Sequence, residues 1–390
     1  MNASIDINSQ GRFAHIDALR AFAVMLVVLN HAGLLFVPGQ SGVTIFFAIS
    51  GFIITHIVLR EMETTGGFRI GRFYTNRAVK LAPPLLALIL VPTAVYSIFH
   101  AVNWWVVSSQ VFFSFNWVRI YDPASAELIM PGSGVTWSLA VEEQFYIGFA
   151  LLWIVAVRFR SARHLLAVVA VAAILLSTTL RFALPYGDGI FFVRSTITRL
   201  DSIAWGVLTA VLYSFWRQGG VRWLGRLTTN WTIPAAAVLY FGSAAVPTPL
   251  SYTCQTLASI AVILWGLLPG SGTVRNGIYA FSRWKPIETL GLASYSIYLG
   301  HALVVFWLVP LFADALPTPV TIALNIVLGT LLGVAVWKWV ELPVLAWRRK
   351  RIDPKFRART APPLQAESAS PGARRSAPQD QTSRTRPQSE

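Results

Sequence analysis

Residues 17–33 read DALRAFAVMLVVLNHAG, an apolar run with Arg20 near its start and His31 near its end. An α-helix turns about 100° and rises about 1.5 Å per residue, so the eleven steps between them return to nearly the same face roughly 16 Å along the axis. One helix face thus carries a cation near one end and a titratable ring about half a bilayer away. In a membrane such groups are costly to keep and mark a pathway or a reaction centre.

The composition says that the run does lie in a membrane. Of 390 residues, 55% are hydrophobic and 13% charged, and the mean hydropathy is +0.56. Soluble domains hold about 25% charged residues. A single cysteine, Cys254, permits no internal disulfide. The formal net charge of +15 is spread between apolar runs and in the tail, not gathered in one patch, which fits a membrane protein and excludes a nucleic-acid partner. The run from Asp17 has no small-residue cleavage pattern after it and reads as a retained helix, not a signal peptide.

Ten apolar runs are near the length a bilayer needs: 17–37, 42–60, 81–101, 140–157, 164–183, 201–216, 231–247, 252–270, 287–312 and 319–340. The spacing predicts an all-α, polytopic helix bundle. With the N-terminus inside, fourteen Lys and Arg before the tail fall in inner loops, against Arg119, Arg181, Arg194 and Arg199 outside; this predicts ten spans with both ends cytoplasmic. No internal repeat relates the halves, which disfavours transporter folds built by duplication. Beyond Ile352 the chain is Arg, Pro, Ser and Gln with few aliphatics, too polar to offset its ordering entropy. The expected division is 1–12 as an N-terminal cytoplasmic segment, 13–348 as the membrane domain and 349–390 as a disordered basic tail.

His31 is the first candidate for chemistry. It could be satisfied by a backbone carbonyl, but a histidine inside a span suits a general base. Arg20 could pair with Asp17 at helical spacing or clamp an anion. In TWSLAVEEQFY (136–146), Glu142 and Glu143 are adjacent and point about 100° apart, so at most one is expected to face a given partner. One could orient or deprotonate His31 while the other meets a cation such as Arg199; alternatively, both complement the helix N-terminus. The stretch GGFRIGRFYTNRAVKLAPP (66–84) reads as a basic inner loop whose Arg72, Arg77 and Lys80 could converge with Arg20 on a polyphosphate. Topology alone would also make that loop basic. Secondary candidates are Ser50 in FFAISGF, Trp137, Arg199 and Asp201 as a local ion pair, and His301 in SYSIYLGHA, a second intramembrane histidine.

These segments, in this order, resemble the acyltransferase-3 family of integral membrane acyltransferases: IDALRA with Arg20 and His31, FFAISGF, FYTNRAVKLAP, TWSLAVEEQFY, RLDSIAWG, SYSIYLGHA and the closing Glu341-Leu342-Pro343. The resemblance covers most of residues 13–348. It implies about ten spans in the bacterial cytoplasmic (inner) membrane. It also implies acyl-CoA, acetyl-CoA foremost, as cytoplasmic co-substrate, and as acceptor a hydroxyl of a cell-surface or lipid-linked glycan. No permanently bound cofactor and no metal are implied. Carried over by position, His31 is similar to the family's essential histidine, Arg20 to its companion arginine and Arg77 to a basic loop position. Asn76 stands where paired arginines are common, Lys80 where an arginine is common, and Val135 where a histidine often precedes Trp-Ser-Leu. A lysine still binds phosphate but without the bidentate fork. The expected activity is O-acyl transfer with His31 as general base; an acyl-histidine route and, from another class, a transporter or exporter using His31 with Glu142 and Glu143 as a relay are the alternatives.

Overall fold

The computed structural model of the chain describes residues 13–159, 161–183, 189–312 and 316–352. The expected segment 1–12 and the expected tail from 353 onward lie outside the described residues. Every regular element among the described residues is helical, and the protein is an integral membrane helix bundle. The main helices are α1 (Ala14–His31), α2 (Gly39–Thr65), α3 (Ile70–Tyr96), α4 (Ser133–Ala156), α5 (Ala162–Ala183), α6 (Thr196–Arg217), α7 (Thr232–Ala245), α8 (Thr248–Leu267), α9 (Ser294–Leu311) and α10 (Thr318–Val336). The chain divides into two compact units, Met1–Leu345 and Ala346–Glu390. Helices α1–α10 and both cavities described below belong to the first.

Each of the ten expected runs holds helix, but eight of the helices among the described residues are both long and apolar enough to cross a bilayer. The two others fall short for different reasons. Helix α6 has 22 residues, or about 33 Å of rise, but its apolar stretch is diluted by Arg199 and Asp201; Arg181 of α5 pairs with Asp201, while Arg199 bonds Thr44 of α2 through Nη2 alone and its buried Nε and Nη1 make no hydrogen bond among the described residues. Helix α7 is a shorter apolar helix. Its residue span, 232–245, gives about 21 Å of rise against a hydrocarbon core of about 30 Å.

Two boundaries move for reasons that bear on the site. The third helix begins at Ile70, so Arg72, Arg77 and Lys80 lie on a helix and not in a loop, because protein carboxylates balance Arg77. Pro83 and Pro84 inside it remove two amide donors, and the helix continues through a wider π-type turn at Leu86–Leu90. The expected run 287–312 is two helices, Lys285–Leu292 and α9. Between them Ala293 has φ −81° and ψ −1°, the turn region of backbone space, which redirects the axis.

Helix α1 packs against α2, Lys285–Leu292 and α9, while α2 packs most extensively on α6. That crossing is close because both helices present glycine. A Cβ on Gly206 would meet the Ala48 carbonyl oxygen, and one on Gly51 the Ile203 carbonyl oxygen. Small residues let membrane helices approach backbone to backbone. Gly206→Ala is expected to lower stability by about 1–3 kcal/mol through overpacking, read as a lower unfolding temperature in detergent. Gly148, with open space where its Cβ would be, is the control; equal effects of Gly206→Ala and Gly148→Ala would refute the crossing argument.

Candidate functional site: two cavities back to back

The first cavity, about 310 Å³, is mostly apolar and is lined by Arg20, Arg77 and Lys80 together with Ser50, Glu142 and Tyr298. The second, about 390 Å³, is more polar and is lined by His31, Trp137, Arg119 and Arg194. Val43 lines both. A hydrogen-bonded step stands beside it: Tyr298 donates to the Val135 carbonyl at 3.0 Å and so accepts from Ser138 at 2.7 Å. The Arg20–His31 face of α1 therefore runs from one cavity to the other.

Arg20 donates through Nε and Nη2 to Ser294 Oγ at 3.2 and 3.0 Å. Ser294 is the first residue of α9, so the break after Ala293 places that hydroxyl against α1. Lys80 lines the same cavity, and among the described residues it makes no hydrogen bond or ion pair. Arg72, eight positions before Lys80 on α3, is not among the residues that line the cavity. Eight helical steps set it about 12 Å nearer the start of the helix, so the structure does not bring Arg72 to this cavity with the other cations.

Arg77 is already engaged. Its Nη2 donates to Glu142 Oε1 at 2.9 Å, its Nε donates to Glu143 Oε1, and its guanidinium lies 3.5 Å from the centre of the Tyr146 ring. The expectation that adjacent glutamates cannot share a partner is thereby corrected. A guanidinium offers five N–H donors, and the neighbouring Nε and Nη2 let carboxylates about 100° apart on one helix both reach it. Glu142 Oε1 also accepts from Ser50 at 2.7 Å and from Tyr146 at 2.8 Å. Neither glutamate is bonded to His31 or to Arg199 in the structure.

The partner of His31 is His301. Their Nδ1 and Nε2 atoms are 2.9 Å apart, with ring planes 6° apart and centres at 5.2 Å, the geometry of two coplanar rings bonded edge to edge. His301 Nδ1 lies 3.1 Å from the Ile297 carbonyl oxygen. A carbonyl only accepts, so the proton sits on His301 Nδ1; for two neutral rings, His301 Nε2 then accepts from His31 Nδ1, and the free lone pair of His31 falls on Nε2.

Arg199 and Asp201 do not pair with each other as expected. Arg199 donates to Thr44 Oγ1 at 2.7 Å and lies 3.8 Å from the Tyr252 ring centre. Asp201 is held by Arg181 through two bonds of 2.6 Å, both side chains having 0% exposure. Arg181 and Arg199 are thus internal, although the charge count places them in outer loops. Sequence reasoning also missed Arg194, Tyr298 and Ser294 as cavity residues; only the presence of the last two in the quoted SYSIYLGHA stretch could have flagged them.

A membrane helix bundle with one cationic and one histidine-bearing cavity on a single helix face is the class these observations define. The chain matches the acyltransferase-3 family model, described as an acyltransferase domain, over residues 13–338, and it belongs to that family. It is 26% identical over 355 residues to the peptidoglycan O-acetyltransferase OatA of Listeria monocytogenes, covering 84% of this chain and 55% of that protein. It is 24% identical over 362 residues to the O-acetyltransferase OatA of Staphylococcus aureus, covering 84% of this chain and 56% of that protein. The chain therefore spans about half the length of these curated relatives. No solved structure matches it.

Proposed function

We propose that the protein is a membrane O-acyltransferase that moves an acetyl group from acetyl-CoA on the cytoplasmic side to a glycan hydroxyl on the other. The observation that carries this reading is the pair of cavities meeting at Val43, with Arg20 and Lys80 at one and the His31–His301 pair at the other. The names of the relatives, both O-acetyltransferases, support it. The inner-loop excess of Lys and Arg supports both termini being cytoplasmic.

In this reading the phosphates of CoA rest near Lys80 and Arg20, and the thin pantetheine arm occupies the apolar first cavity. Arg77, neutralised by Glu142 and Glu143, shapes the wall and does not meet phosphate. The thioester reaches Val43. His31 Nε2 takes the proton of the acceptor hydroxyl, whose oxygen attacks the thioester carbonyl carbon; the C–S bond breaks, and the proton passes from His31 to the departing thiolate to give CoA thiol. The Nδ1–H bond to His301 holds the ring while it carries the proton.

Full-length protein in vesicles, supplied with acetyl-labelled acetyl-CoA, tests the reading: label should appear on glycan hydroxyls. Lys80→Ala should raise KM for acetyl-CoA about tenfold, the value of one charge-assisted hydrogen bond, with kcat little changed. An unaltered KM in both Lys80→Ala and Arg20→Gln removes the donor from the first cavity.

A further inference from the structure

Among the described residues, the second cavity is lined by two arginines, Arg119 and Arg194, and one carboxylate, Glu127. Arg119, on the helix Phe115–Tyr121, and Arg194, at the end of the helix Gly189–Arg194, both line it. Arg119 is met by Glu127, Nη2 to Oε1 at 3.5 Å, a loose pair whose carboxylate side chain is 73% exposed. Gly134 makes room for that guanidinium, since a Cβ there would lie 2.6 Å from Nη1. Among the described residues Arg194, which is half-buried, has no such partner: its Nε and Nη1 are buried and make no hydrogen bond.

A guanidinium taken out of water without a counter-charge is unfavourable, and its rigid fork matches a carboxylate or a phosphate. The same cavity holds the indole of Trp137 and the side chains of Asn30 and Gln40, a mixture of aromatic face and amide groups suited to a saccharide. We infer that the second cavity takes an acidic glycan, one bearing a carboxylate or a phosphate group, with Arg194 as its anion-binding residue and Arg119 as the second cation. The anion supplies the charge that Arg194 lacks and fixes the sugar so that a hydroxyl lies at His31. This rests on the reading of the second cavity as the acceptor site.

Equilibrium binding to the full chain in nanodiscs tests it, with three probes of one length: a trisaccharide ending in glucuronic acid, one ending in glucose 6-phosphate and one ending in glucose. At least one acidic probe should bind about tenfold or more tightly than the neutral one, and the tighter of the two identifies carboxylate or phosphate as the source. Arg194→Gln should remove most of that preference, and Arg194→Lys should restore part of it. In the wild type, added salt should shrink the preference, a readout independent of any variant's folding. Equal binding of acidic and neutral probes, no binding of either acidic probe, or a preference that survives Arg194→Gln overturns the inference. Acetyl transfer to the same probes is scored separately: binding preference without transfer fails the enzymatic reading alone, and transfer without preference fails this one alone.

Discussion

Alanine at His31 is expected to lower acetyl transfer by about 10²–10⁴-fold, the contribution of a positioned general base, while acetyl-CoA binding at the first cavity stays near the wild-type value. The two effects separate because His31 lines the second cavity and not the first. His301 supplies a finer test. Its bond to the Ile297 carbonyl leaves Nε2 to accept from His31 Nδ1, so His301→Leu should lower kcat by removing the acceptor that fixes the His31 tautomer. His301→Gln, whose amide oxygen accepts a hydrogen bond, should recover part of the loss. Transfer that persists at the wild-type rate in His31→Ala rejects the base, and equal losses in His301→Leu and His301→Gln reject the tautomer role.

The largest expected effect on stability lies elsewhere, at Arg181 and Asp201. The pair is fully buried and bidentate, and Arg181 also donates to the Thr198 carbonyl and to Thr253 Oγ1, both at 3.0 Å. These bonds tie α5, α6 and α8 together. Removing one partner leaves a buried charge without compensation, so Arg181→Leu or Asp201→Leu should each cost about 3–5 kcal/mol. The double variant should cost less than the sum, because neither charge is then left alone. Denaturant unfolding in detergent measures this; a loss below about 1 kcal/mol in either single variant would show that the pair is not what holds the three helices.

Much of the architecture was legible in the order of residues. Runs such as 17–37 and 42–60 are apolar for about the thickness of a bilayer, and a backbone in lipid must satisfy its own hydrogen bonds, so each folds as a helix wherever its neighbours lie. The same local rule placed Arg20 and His31 on one face of α1. Less legible were the starts of α3 and α9. A polar residue in a span reads as a loop from sequence, yet Arg77 sits inside a helix because Glu142 and Glu143 balance it.

The order of the apolar runs and the residues carried on one helix face, Arg20 and His31 on α1, were therefore settled by the chain's own order of residues, since these follow from the rise and turn of one segment. The partners were settled only by packing: His301 for His31, both glutamates for Arg77, Arg181 for Asp201, and an Arg194 whose Nε and Nη1 make no hydrogen bond among the described residues. His31 and His301 are 270 positions apart. Their meeting depends on how α1 and α9 pack, which is set by the shapes of side chains along the whole contact and not by the composition of either helix.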